Sequence, residues 1–198
     1  MGSITEQIAK RGWKRLCNPK TEISSLLIQE FFANAVQIEG EKVDQYPYQS
    51  YVKGVEIDFS AAKIKEILKL RSHTPDTRTN YENRLEGDQK LDEVIRTLCV
   101  PTAIWKLSAN NRKPTQLKRH DLLPLATGWH EFIVHSIILT GNKSEITVVR
   151  ALLIHSIITG DYVRAEELIV DNLAIIAESM EGRNNLIFPS TIYRLCKQ

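Results

Sequence analysis

The sequence predicts a mainly helical α+β domain, a C-terminal helical bundle with one or two small β-hairpins. Three observations carry this. Helical periodicities fill the last third of the chain. Within them ITVVRALLIHSII, residues 146–158, is apolar nearly all round, as a helix at the centre of a bundle must be. Earlier, two short alternating stretches flank the turn sequences Lys53-Gly54 and Asn110-Asn111-Arg112-Lys113-Pro114. The 198 residues are 42% hydrophobic and 25% charged with a formal net charge of +2. That composition suits a folded globular chain and implies no polyanion partner by overall charge, so such a claim must rest on local clusters.

In chain order, Ile23, Leu27, Phe31 and Ala35, widened by Leu26 and Phe32, give an amphipathic helix over 22–36. Val55, Ile57 and Phe59 alternate with Glu56 and Asp58 after the Lys53-Gly54 turn, which makes a hairpin. Ser60 stands at an N-cap, and Ile64, Ile67 and Leu68 follow at helical spacing. Residues 88–99 read as a helix and 104–119 as two short extended pieces, a second hairpin. Pro124 opens a helix to about Leu139, a second covers about Glu145 to Ile158 before Gly160, and a third runs from Asp161 as N-cap to about Met180. Pro189 opens a last short helix. VHSIILTG and IHSIITG look alike, but two copies with unlike flanks are convergent core filling rather than a repeat array.

The chain is expected to form a single domain over 1–198. If it has subdomains, they are 1–72 and 88–198, joined by the polar connection 73–87, HTPDTRTNYENRLEG. Three cysteines, odd in number and far apart, suit reduced thiols in an intracellular protein, in nucleus or cytoplasm. No apolar run approaches the roughly 20 residues that span a bilayer, and the N-terminus lacks a signal-peptide core, so no membrane contact is expected.

HEFIVH, residues 130–135, imitates a zinc-protease helix but is one residue too long. At 100° per residue, histidines five apart diverge by about 140° and cannot share an ion from a regular helix. Trp129, Phe132, Ile133, Ser136 and Ile137 are expected to face a core, leaving His135 one turn from Glu131. There is no G-x-S-x-G, no glycine-rich phosphate loop and no Walker lysine. Carboxylates are scattered over helix faces. No catalytic residue, metal site or cofactor is expected, and the chain is read as not an enzyme.

Two windows hold positive charge without acids. Lys10, Arg11, Lys14, Arg15 and Lys20 surround Trp13, and Lys106, Arg112, Lys113, Lys118 and Arg119 accompany Trp105. Cations beside an exposed ring neutralise phosphates while the ring stacks on a base, so these are the candidate nucleic-acid-binding residues. The competing reading makes both tryptophans core anchors fringed by charge.

RGWKRLC, FFANA, SYVKGVEIDFS, RTLCVP, LKRHDLLPLATGWHEFIVHSIIL, RALLIHSIITG and FPSTIYRLCKQ occur in the order found in the plant transposon protein domain family, which the chain resembles from about Arg11 to Gln198. The resemblance implies a plant origin and descent from a mobile element or a retrotransposon-like polyprotein, and carries over no catalytic residue. The leading expectation is a non-catalytic binding or assembly module contacting DNA, RNA or other copies of itself. The alternative is a domesticated plant protein-interaction module without nucleic-acid affinity, and the remote one a strand-transfer enzyme.

Overall fold

The computed structural model of the protein describes residues 3–19, 23–35, 48–72, 79–87, 89–110, 112–138, 140, 142–178 and 188–197. These residues are mainly helical with small antiparallel sheets, as the sequence predicts. In order they form α1 (Ile4–Arg11), α2 (Ser25–Asn34), β1 (Gln49–Val52), β2 (Val55–Asp58), α3 (Ala61–Leu68), α4 (Asn80–Glu86) and α5 (Leu91–Leu98). Then come β3 (Lys106–Leu107), β4 (Pro114–Lys118), α6 (Pro124–Ser136), β5 (Glu145–Thr147), α7 (Val148–Thr159), α8 (Ala165–Glu178) and α9 (Pro189–Leu195).

The chain divides into two compact units, neither of them contiguous. One comprises Met1–Ile8, Ser72–His135 and Thr140–Val163; the other comprises Ala9–Arg71, Ser136–Leu139 and Arg164–Gln198.

In the first unit α7 is the hub. It packs on α4, α5, β4 and β5, and every residue from Arg150 to Ile158 is buried, which suits its nearly all-round apolar sequence. Each fully buried aliphatic side chain contributes roughly 1.5–3 kcal/mol, so this helix dominates the unit's core. Thr147 caps it, its hydroxyl accepting from the Arg150 amide at 3.4 Å, and Gly160 closes it at φ 88°. The sequence places a helix start at Glu145, but residues 145–147 pair instead with β4, Leu117 opposite Ile146, both buried. The second hairpin thus becomes a three-stranded sheet, β3-β4-β5. The connection expected over 73–87 also holds structure: residues 73–78 lie outside the described ones, and 80–86 form α4 with Tyr81 buried.

In the second unit α2 lies on β1, while α3 packs against α8 and α9, and α2 against α9. Lys53 (φ 52°) and Gly54 (φ 74°) make a two-residue turn of left-handed residues, the geometry that keeps hairpin strands paired. Ser60 caps α3 through the Lys63 amide at 3.4 Å, as its position predicts. Phe31, Phe32 and Phe59 form the aromatic core, with edge-on centroid separations of 5.5 Å and 5.4 Å around Phe31. Two expectations fail here. Leu26 is 74% exposed because α2 buries the narrower stripe Ile28, Phe31 and Phe32. Asp161 does not open α8, which begins at Ala165; in the first unit its carboxylate instead accepts from Asn80 at 2.9 Å.

Candidate functional site

The two basic windows fall in different units and meet different fates. In the first unit, strand alternation puts Gln116 and Lys118 on the sheet face opposite the buried Leu117, with Lys106 and Glu145 as cross-strand neighbours. Glu145 draws the charge together. Lys106 Nζ lies 3.1 Å from it, Asn142 donates at 3.2 Å, and Gln116, with its amide turned to donate, reaches its two carboxylate oxygens at 2.6 and 2.9 Å. The Lys106 contact, first among these, holds the Glu145 carboxyl below its ordinary pKa. Arg119 forms an ion pair with Glu131 at 2.7 Å. Arg112, Lys113 and Lys118 are exposed, Arg112 in the left-handed turn at φ 51°. Trp105 is half-buried and its indole donates to the Leu91 carbonyl at 3.4 Å. Lys106 and Arg119 in this window are therefore already neutralised.

The N-terminal window is built differently. Gly12 ends α1 in the left-handed region at φ 75°, donating to the Ala9 carbonyl at 3.3 Å, and the chain turns into a short 3-10 segment at Trp13–Arg15. Trp13 is only 2% exposed, with the Arg11 guanidinium 5.2 Å from its ring centroid. This corrects the stacking role proposed for Trp13: a ring so enclosed cannot receive a base, and the core-anchor reading holds. Lys10 and Lys14 remain exposed, with no ion pair among the described residues, and Lys20 lies outside those residues.

Packing then adds two arginines that sequence reasoning missed. The segment after α3 brings Arg71 alongside α1, where its Nη1 donates to the Lys10 carbonyl at 3.1 Å. α9 brings Arg194, whose Nη2 donates to the Asn18 carbonyl at 3.0 Å. Arg15 donates through Nη1 to the Ile67 carbonyl. Burial first, and the Arg15 charge second, hold the Arg194 guanidinium below its ordinary pKa. Neither Arg15 nor Arg194 has a carboxylate at ion-pair distance among the described residues. The only sequence signal for this convergence is the RLCK tail around Arg194, too ordinary to single out.

HEFIVH resolves into two unrelated histidines. His130 is fully buried, where Phe132 was expected, and Phe132 is half-buried. Its Nε2 lies 3.1 Å from the Lys143 carbonyl and so donates to it, leaving Nδ1 the bare, buried nitrogen. Burial is the main cause lowering its pKa. His135 is exposed; its Nδ1 donates to the Glu131 carbonyl at 2.7 Å, and Lys143 Nζ lies 2.8 Å from its Nε2. Its ring also stands 3.9 Å from the Glu131 carboxylate one turn back, the neighbour its spacing predicts. Among the described residues no group of three or more His, Cys, Asp or Glu could hold a metal ion. Cys17, Cys99 and Cys196 are free thiols, and burial above all pushes the last two up to about 11. No helix of the described residues is long and apolar enough to cross a membrane.

The fold defines a class: a mainly helical protein with small antiparallel sheets. Over residues 9–198 the chain matches the family described as "Putative plant retrotransposon-related domain", and it belongs to that family. The match covers nearly the whole chain and bears out the mobile-element resemblance of the seven ordered segments. No curated protein and no solved structure matches it.

Proposed function

We propose that this chain is a non-catalytic nucleic-acid-contacting module of a plant retrotransposon-related protein, and that its polyanion-facing surface is the cluster of Lys10, Arg11, Lys14, Arg15, Arg71 and Arg194. The observation that carries the reading is the packing of Arg71 and Arg194 against an N-terminal window whose Lys10 and Lys14 are exposed and have no ion pair among the described residues. In the other window Glu145 and Glu131 compensate Lys106 and Arg119, which assigns that window a secondary role. With Trp13 enclosed, binding runs through phosphates alone and tolerates any sequence.

The test is fluorescence anisotropy of a labelled oligonucleotide across a salt series. The affinity should fall linearly on logarithmic axes, with a slope of roughly −0.7 per neutralised phosphate for a single strand. Lys10→Glu with Lys14→Glu should abolish binding, whereas Lys106→Glu with Arg119→Glu should leave most of it. Negligible binding at low salt would remove the reading. A protein-interaction module is the second reading, favoured by Ile104 (79% exposed) and Leu107 (51% exposed) beside the edge strand β3. Light scattering and a nuclease-resistant pull-down that depend on Ile104 would support it instead.

A further inference from the structure

Lys143 is exposed, yet its backbone is held at three successive carbonyls. The buried Arg150 donates through Nη1 to the Asn142 carbonyl at 3.0 Å, the buried His130 through Nε2 to that of Lys143 at 3.1 Å, and the Arg119 amide to that of Ser144 at 2.9 Å. Asn142 Oδ1 closes the turn by accepting from the Ser144 and Glu145 amides at 3.2 and 3.3 Å. From this fixed turn Lys143 Nζ lies 2.8 Å from His135 Nε2. The tautomer of His135 follows from its other nitrogen. Nδ1 faces the Glu131 carbonyl at 2.7 Å, which can only accept, so Nδ1 carries the proton and Nε2 presents a lone pair to Lys143. The Glu131 carboxylate stands 3.9 Å from the same Nδ1 and is itself held by Arg119 at 2.7 Å. Amine, imidazole and carboxylate thus follow one another as nucleophile, base and orienting group do around an activated nucleophile. All of these residues belong to the first unit.

We propose that Lys143 is a self-acylation site, whose amine takes the acyl group of a small acyl thioester with His135 as the base. The unprotonated amine attacks the thioester carbonyl, forming the N–C bond while the carbonyl π pair moves onto oxygen. The nitrogen becomes cationic and acidic, and His135 Nε2, already at hydrogen-bond distance, takes its proton. Collapse of the tetrahedral intermediate breaks the C–S bond, and the departing thiolate takes the proton from the imidazolium, which restores His135. The products are an amide on Lys143 and a free thiol. A thioester brings its own activation, a weakly conjugated carbonyl and a good leaving group, which suits an exposed site that supplies a nucleophile and a base. Each chain accepts one acyl group there, so the event is a modification and not turnover. It removes a positive charge from Lys143 and does not depend on the nucleic-acid reading.

The experiment incubates the full chain with acetyl-coenzyme A as the probe and follows acetylation of each lysine over time by peptide mass spectrometry. Lys118, exposed in the same unit, is the internal reference. Lys143 should be acetylated at least about tenfold faster than Lys118, a gain below that of enclosed general-base sites because His135 and Lys143 are both open to water. His135→Gln should bring Lys143 down to the rate of Lys118 while the melting temperature and the Lys118 rate stay as in the parent. Those two controls separate loss of the base from a folding defect. If Lys143 in the parent chain reacts no faster than Lys118, the proposal is overturned whatever the variant does. An unchanged Lys143 rate in a folded His135→Gln overturns it equally.

Discussion

Adding one methyl group at Gly12 tests how the N-terminal window is held. At φ +75° a Cβ there would stand 3.0 Å from both Cγ and the backbone nitrogen of Arg71, and 3.1 Å from the Lys69 carbonyl oxygen. Gly160, at φ +88°, has nothing within 4 Å of the same added atom. Gly160→Ala therefore carries only the left-handed penalty, about 1–2 kcal/mol. Gly12→Ala carries that and a clash with two backbone atoms that no rotamer change relieves, about 1–3 kcal/mol more by analogy with overpacked cores. Urea titration with hydrogen exchange read on α3 and α9 for Gly12, and on α7 for Gly160, measures each substitution within its own unit. Equal costs within about 0.5 kcal/mol would refute the contact argument, since surface changes without such contacts fall in that range. The displaced 69–71 segment should also carry Arg71 away from the window and weaken oligonucleotide binding.

The first unit should lose stability on acidification. His155 and His130 are both buried, and burial is the main cause holding each below its ordinary pKa; Glu93 and Asp161 oppose this at His155, and Arg84 reinforces it. The unfolded chain then binds more protons, so stability is full above an unfolded value of about 6.5 and is lost as pH falls below it. Melting curves at successive pH values should show that loss, and His155→Leu should flatten it; an unchanged slope would count against the assignment. Leu152→Ala, at a fully buried position of α7, should cost about 2–5 kcal/mol by denaturant titration. Thr79→Ala should cost about 1 kcal/mol and show as faster exchange confined to α4, because the hydroxyl accepts from the Glu82 amide at 3.2 Å.

Elements with strong local patterns were legible in the sequence. α7 announced itself by its apolar run, the β1–β2 hairpin by alternation around Lys-Gly, and α3 by Ser60. The helices missed were α1 and α4, each short and poor in aliphatic residues, so periodicity had little to register. Both carry a different signal, a capping box: Ser3 and Glu6 exchange bonds of 2.9 and 3.3 Å, and Thr79 and Glu82 bonds of 2.8 and 3.2 Å. S-x-x-E and T-x-x-E were there to be read. β5 could not be, because a strand of three residues is specified by its partner β4 and not by its own sequence. The site was half visible: the Lys10–Arg15 run is local, but its union with Arg71 and Arg194 is a property of packing.

The bond between Arg194 and the Asn18 carbonyl joins residues 176 positions apart. At about 5–20 residues per second of synthesis, Arg194 leaves the ribosome roughly 10–35 seconds after the turn it completes. During that interval the nascent chain carries its early lysines without Arg194. Contact closure over such a separation is also slow to form once the chain is released. The N-terminal window is thereby complete only once translation has passed α9, after most of the chain has been made.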